Sequence, residues 1–332
     1  MTRAIGESAG SPRSRWLAWG GFGLGLVLLI GAIWVVLGRD PDAMAALFER
    51  LRDAPWWAGA LIAVGPVVNW LLVSSCLWML LRRHGELGWG EMNALVGSAW
   101  LLNHLPMRPG LIGRVGYHKL VNGIRVRDAI ESTVWSLGLA AVAGVMGLAL
   151  AFALPRDAGL APAVAVLGGP VLVVGALGAG CALLGRVRSG WLLGALALRY
   201  ADLGTWSARY AVVFWVMGLE VSPVQIIVIT GVSQVAQLIP IAGGGLGLRE
   251  WLVAITAGWF ADASAAVDGA GTAVSGGLSG AFDAAMAADL VNRAVETLVV
   301  VPVGLIGGWM VARNVRRVRK AGSRAPVSGA NA

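Results

Sequence analysis

The chain has 332 residues; Lys and Arg contribute 26 and Asp and Glu 18, so charged residues make up 13% against a hydrophobic share of 57%. A soluble domain carries about 25% charged residues, and this chain lacks the polar surface to coat a water-soluble body of its size. A cytosolic enzyme, a disordered chain and a secreted disulfide scaffold are excluded, and the lipid bilayer is expected to be the main solvent. The net charge of +8 does not point to nucleic acid, because the basic residues fall mostly in short loops between apolar segments, as the positive-inside rule requires. The 48 glycines have no collagen-like period and suit closely packed membrane helices. Cys76 and Cys181 lie inside apolar segments and say nothing of the redox compartment.

In chain order, residues 1–15 are expected to be a cytoplasmic segment, followed by a first span over Trp16–Gly38. That stretch exceeds the roughly 7–15 apolar residues of a signal peptide and has no small-x-small cleavage site, so it is read as retained. Pro41–Asp53 is short and amphipathic, with Met44, Leu47, Phe48 and Leu51 at helical spacing, and is expected to lie at the interface. Further crossings are expected over Pro55–Leu81, Ala129–Leu154, Leu160–Leu184, Ala201–Leu219 and Met286–Val311. Two more apolar stretches, Trp89–Val121 and Ser222–Phe260, are each interrupted near the middle by Pro and Gly. Residues 314–332 form a basic tail.

With the N-terminus in the cytoplasm, 18 Lys/Arg side chains fall on the cytoplasmic side and four (Arg39, Arg50, Arg52, Arg156) on the other. This asymmetry survives only if each interrupted stretch enters and leaves on one side, as a re-entrant hairpin buried in protein or lining a cavity. The expected fold class is therefore all-α: a polytopic membrane helix bundle of about six spans plus two re-entrant helical hairpins. It is read as a single transmembrane domain over residues 16–313, with halves at about 55–154 and 201–313. Both termini are placed in the cytoplasm and the protein in the cell (inner or plasma) membrane.

The two interruptions share a pattern. NHLPMRPGLIGR (Asn103–Arg114) and QLIPIAGGGLGLRE (Gln237–Glu250) align Pro106 with Pro240, Gly110 with Gly244 and Gly113 with Gly247, with Arg114 and Arg249 following. By the charge asymmetry the first hairpin opens to the cytoplasm and the second to the opposite face. That is an inverted-topology repeat, and interrupted segments at matching positions in the two halves are where transporters build their binding sites.

The run LIPIAGGGLGLREWL (Leu238–Leu252), followed by DLVNRAVE (Asp289–Glu296), resembles the signature of the lysylphosphatidylglycerol synthetase transmembrane-region family, also called flippase-like; LLNHLPMRPGLIGRVGYHKLVNGIRVRDAIEST (Leu101–Thr133) resembles its N-terminal signature. The resemblance covers about Trp16 to Arg313. It implies a polytopic protein with paired re-entrant helices that moves or modifies membrane lipids. The best-known members add a soluble aminoacyl-transfer domain; this chain runs only about 20 residues past its last expected span, so lipid aminoacylation is not expected of it. The Gly/Ser/Ala-rich stretch Asp262–Asp283 is longer than the family's usual connection.

Arg249 and Glu250 follow the second glycine turn, and a charge at bilayer depth costs at least about 2.5–3.5 kcal/mol, so it needs a partner or a ligand. Arg249 either holds a lipid phosphate, with the glycines letting the backbone approach, or forms a structural pair with Glu250 or Asp289. Arg114 is the mirror candidate, with Arg108 and His118 nearby, or else an ordinary cytoplasmic charge. Asp289, Arg293 and Glu296 fall within about 60° on one helix face and read as an ion-pair ladder or a buried pair fixing the helix. Arg199, Asp202 and Arg209 form a corresponding group before and inside the fifth span, with Arg199 and Asp202 either in it or at its interface. His104 and His118 lack a third ligand at metal spacing; no metal and no cofactor are expected. No phosphate-binding G-x4-G-K-[ST] run supports ATP driving. Of the 16 tryptophans, Trp16, Trp19, Trp56, Trp57, Trp191 and Trp309 sit at span ends as an interfacial belt.

The expected lipid or substrate site thus comprises Arg249, Glu250, Gly244, Gly247, Pro240, Arg293, Glu296, Asp289, Arg114, Gly110, Gly113 and Pro106. The expected function is translocation of an anionic phospholipid or lipid-linked precursor between leaflets, by a transporter rather than an enzyme. The rivals are a small-solute or ion transporter, a membrane-embedded enzyme on lipid headgroups, and a non-transporting subunit that binds a partner through its tail. The expected partner is a membrane phospholipid or lipid-linked substrate, not nucleic acid; monomer and homo-oligomer both stay open.

Overall fold

A computed structural model describes residues 12–38, 49–105, 108–155, 159–219, 221–238, 247–268 and 277–324, and among them the regular structure is entirely helical. The helices are α1 (Pro12–Gly38), α2 (Trp56–Leu81), α3 (Trp89–Leu102), α4 (Pro109–Val121), α5 (Val126–Phe152), α6 (Leu160–Leu183), α7 (Val187–Val216), α8 (Pro223–Leu238), α9 (Leu248–Asp268) and α10 (Gly277–Arg324). A 3₁₀ turn, Arg82–His84, follows α2, and residues 49–53 add a short helical stretch.

Four of these stretches are long and apolar enough to cross a bilayer: Trp56–His84, Val126–Phe152, Leu160–Leu183 and Ala281–Lys320. Their exposed surface is apolar. On α6, Leu172 is 74% and Leu183 89% exposed; water penalises such a surface and hydrocarbon solvates it. The chain is a membrane protein on this ground. Two expected crossings are not among the four. The apolar part of α1 counts only over Gly23–Val36 among the described residues. Helix α7 starts at Val187, well before the expected Ala201, so Arg199 and Asp202 lie inside the helix rather than at its entrance, and α7 is not among the stretches apolar enough to cross. Each interrupted stretch is two short helices, α3 and α4 around residues 103–108, and α8 and α9 around 239–247.

By proximity the chain divides into two compact units, each discontinuous in sequence. The first comprises Met1–Ile62, Asn103–Pro109 and Arg209–Ala294. In it α9 packs against α8 and α1, around a core of Ala32, Ala254 and Met286 flanked by Trp251 and Phe282. The Arg50 guanidinium caps the end of α7 by donating to the Met217 carbonyl, and Trp57 stacks on Trp215 with centroids 5.3 Å apart.

The second unit comprises Ala63–Leu102, Gly110–Ala208 and Val295–Ala332. One core cluster joins Leu77, Leu81, Met92, Val96, Ile124 and Ala129; another joins Cys76, Leu80, Leu139 and Ala195. Helices α6 and α7 approach closely at three glycines: a Cβ on Gly190 would stand 2.8 Å from the Gly178 carbonyl oxygen, and one on Gly178 3.1 Å from the Gly194 nitrogen. Small residues here replace the side-chain layer between helices. The α3–α4 pair folds back on itself. Glu91, in the first turn of α3, accepts from Tyr117 Oη (2.8 Å) near the end of α4 and from Asn122 Nδ2 (2.9 Å) just beyond it.

Candidate functional site

The first unit buries a polar cluster at the start of α9. Gly247 precedes α9 with φ of 76°, a left-handed conformation that disfavours any side chain. A Cβ there would also strike the α1 backbone at Gly25 and the Leu28 side chain. Trp251 Nε1 donates to the Leu28 carbonyl at 3.0 Å, so the entry to α9 is held against α1. This fixes the direction in which Arg249 and Glu250 leave the helix.

Both side chains are buried, Arg249 at 1% and Glu250 at 0% exposure. Arg249 Nε donates to Asp289 Oδ2 at 3.0 Å, and Arg293 Nη1 donates to Glu250 Oε1 at 2.8 Å. Neighbouring residues on α9 thus form ion pairs of opposite sense with two residues one helical turn apart on α10. The second carboxylate oxygen of Asp289 accepts from Tyr210 Oη at 2.7 Å, and that hydroxyl accepts in turn from Ser233 Oγ at 2.8 Å. Arg209, fully buried on α7, donates to Asn292 Oδ1 at 2.6 Å. Among the described residues, Glu250 Oε2, an acceptor, and Asn292 Nδ2, a donor, have no hydrogen-bond partner. The cluster therefore joins α7, α8, α9 and α10 through charged and polar groups in an apolar surrounding.

The first interruption adjoins the second within this unit. Arg108, at the end of residues 103–108, has φ of 47°, and its Nη2 donates to the Gln237 carbonyl at 2.7 Å, just before the second interruption. Among the expected site residues, Pro106, Pro240 and Gly244 lie outside the described residues. The aligned glycines have different surroundings. Gly113 sits inside α4 with open space where a Cβ would go, whereas Gly247 stands before α9 in tight contact. Gly110 lies in the first turn of α4, immediately after Pro109, the helix start that proline favours.

Asp289 and Arg293 do not simply ladder along their own helix; their bonds reach across to α9. Glu296 is buried in the second unit. Arg114 is there too, 8% exposed, with its Nη2 on Thr133 Oγ1 at 2.9 Å. Arg199 bonds Asp202 Oδ2 (3.4 Å) and Ser136 Oγ (2.7 Å), and Asn69 Nδ2 donates to Asp202 Oδ1 at 2.6 Å. His118, on α4 outside the four apolar spans, is held to about 4 by burial. No group of three metal-ligating side chains occurs among the described residues.

The sequence reading passed over Tyr210, Ser233, Asn292 and Thr133. A signal was available for the first. The chain has only three tyrosines beside 16 tryptophans, and all three, Tyr117, Tyr200 and Tyr210, are buried with their hydroxyls bonded. The small polar residues carry no such mark. Comparison with protein-family models, curated proteins and solved structures finds no match to this chain.

Proposed function

We propose that this protein is a flippase-like membrane protein that moves an anionic lipid, or a lipid-linked precursor, between leaflets. The observation that carries the reading is the buried charge cluster beside the second helix interruption: Arg209, Arg249, Glu250, Asp289 and Arg293, all buried within the first unit of a chain whose long helices are apolar enough to cross a bilayer. Ionisable groups at membrane depth are expensive and mark substrate pathways. The cluster pairs cations suited to a phosphate with a partnerless acceptor and donor, Glu250 Oε2 and Asn292 Nδ2, which a polar headgroup would engage. The acyl chains would stay in the bilayer while the headgroup passes the cluster. The work is binding and gating; no covalent step is involved.

Three further features support the reading. The order long helix, short helix, interruption, short helix, long helix occurs twice, as α2–α5 and α7–α10, which suits an inverted repeat. The Arg108–Gln237 bond brings the two interruptions together, as a shared site requires. The family resemblance at Leu238–Leu252 and Asp289–Glu296 falls on the residues that build the cluster. The test is reconstitution into liposomes with headgroup-labelled anionic and zwitterionic phospholipids. Wild type is expected to move the anionic lipid across the bilayer and Arg249→Ala to lose that movement. Equal rates for the two proteins, or movement of a small solute with no lipid movement, would overturn the proposal.

A further inference from the structure

We propose that the second unit contains a phosphate-binding site on one face of α5, in which Arg114 and Arg199 donate to the phosphate oxygens and His118 Nε2 accepts a hydrogen bond from a hydroxyl of the ligand. The foundation is Thr133 and Ser136. They are three residues apart on α5, so their side chains are neighbours, about 5–6 Å apart at Cβ. Thr133 Oγ1 accepts from Arg114 Nη2 at 2.9 Å, and Ser136 Oγ accepts from Arg199 Nη2 at 2.7 Å. Two guanidinium groups, one from α4 and one from α7, are therefore docked beside each other on side chains one turn apart on one helix.

Their charges are not compensated equally. Arg199 has Asp202 Oδ2 at 3.4 Å. Arg114 is 8% exposed, and its hydrogen-bond partner is a neutral hydroxyl, with no carboxylate within ion-pair distance among the described residues. Burial, and the like charge of Arg199, both disfavour the cation on Arg114. A buried guanidinium kept next to a second one, with a carboxylate paired to only one of the two, is built to receive an anion.

Two unpartnered buried atoms specify the anion further. Arg199 Nε is a donor with nothing to donate to, and His118 Nε2 has no partner although His118 is 2% exposed. His118 lies one turn from Arg114 on α4. Asn122 Nδ2 donates to Glu91 Oε1 (2.9 Å), which turns the Asn122 carbonyl oxygen toward His118 Nδ1 at 3.1 Å. Nδ1 therefore carries the proton and Nε2 is a bare acceptor. The ligand must offer oxygens to two guanidiniums and a hydroxyl hydrogen to the imidazole. A carboxylate is fully ionised at neutral pH and offers no hydrogen. A phosphate with its own proton, or with a hydroxyl next to it, offers both.

Such a phosphate is either a lipid headgroup or free phosphate, and the site rests on the lipid-handling reading only for the choice between these sources. The experiment places the full chain in phosphatidylcholine nanodiscs and titrates it separately with inorganic phosphate, by calorimetry, and with phosphatidic acid, by native mass spectrometry. Saturable binding of at least one probe is expected, and loss of one charge-assisted contact should weaken it at least about tenfold in Arg114→Gln and measurably in Thr133→Val. Binding of the lipid alone assigns a headgroup site and binding of phosphate alone a free-phosphate site. The ligand-free Arg114→Gln protein is expected to melt higher than wild type, because a repelled buried cation is gone. Saturable binding of neither probe, or equal binding by wild type, Arg114→Gln and Thr133→Val, overturns the site. Binding lost in Arg249→Gln but kept in Arg114→Gln overturns it as well and leaves the lipid-transport reading standing.

Discussion

The ion pair between Arg249 and Asp289 allows stability and transport to be separated by a double-mutant cycle. Asp289 is fully buried, and its two oxygens are taken by Arg249 Nε at 3.0 Å and Tyr210 Oη at 2.7 Å. Replacing either member of a buried pair leaves the other charge without its counter-ion, at a cost of about 3–5 kcal/mol. Asp289→Leu also exchanges the Tyr210 hydroxyl's carboxylate acceptor for the neutral Ser233 Oγ, which adds about 1 kcal/mol. Arg249→Leu and Asp289→Leu should each destabilise by several kcal/mol, but the double variant removes both charges and leaves two apolar side chains of suitable bulk. It should be more stable than either single variant, which requires a favourable coupling larger than the greater single cost, about 5 kcal/mol or more. The assay is reversible unfolding in mixed detergent micelles, run beside lipid movement in liposomes. The expected result is recovered stability without recovered transport. Strictly additive costs would refute the pairing, and a double variant that moves lipid like wild type would show that the charges hold the helices together and do nothing more.

Other positions give independent checks. Gly247→Ala should lower the melting temperature in detergent by more than the strain of a left-handed alanine alone, about 1–2 kcal/mol, because the added carbon also strikes α1; an unchanged melting curve would contradict the close approach. Tyr210→Phe should cost about 1–3 kcal/mol by removing the donor to Asp289, measured in the same unfolding assay, whereas a surface tyrosine would cost nothing. Burial holds the His118 imidazole at about 4, below its ordinary 6.5. As the pH falls from 6.5 to 4 the unfolded chain takes up a proton that the folded chain refuses, so stability should drop across that window. His118→Gln should flatten that part of the pH profile, and a profile identical to wild type would show that His118 titrates normally.

Much of the helical layout was legible because the bilayer imposes a simple rule on sequence. The stretches Pro55–Leu81 and Leu160–Leu184 are apolar on every face, and their helices, Trp56–Leu81 and Leu160–Leu183, match to within a residue. The interruptions were legible because Pro and Gly punctuate apolar runs near Pro106 and Pro240. The start of α7 was not. Arg188 and Arg199 interrupt residues 187–200, so the span is expected to begin at about Ala201, whereas the helix runs from Val187 through them with Arg199 turned onto Ser136 and Asp202. At the site, Arg249, Glu250, Asp289 and Arg293 stand out as costly charges in apolar runs. Which carboxylate pairs with which guanidinium depends on the packing of α9 on α10, and spacing along one helix could not decide it. The aligned glycines illustrate the same limit: similar letters place Gly113 inside a helix and Gly247 at a strained entry against α1.

Lipid movement by this arrangement requires the α3–α4 and α8–α9 pairs each to enter the membrane and return on the same side, from opposite faces. Single cysteines placed in a background with Cys76 and Cys181 replaced by alanine, and labelled in intact cells with a membrane-impermeant maleimide, report the side of each flank. Cysteines at Glu86 and Arg125 are expected both to be shielded from outside, and those at Ser222 and Asp262 both to be labelled. If the two flanks of either pair differ in labelling, that pair crosses the bilayer and the inverted arrangement on which lipid movement depends is contradicted.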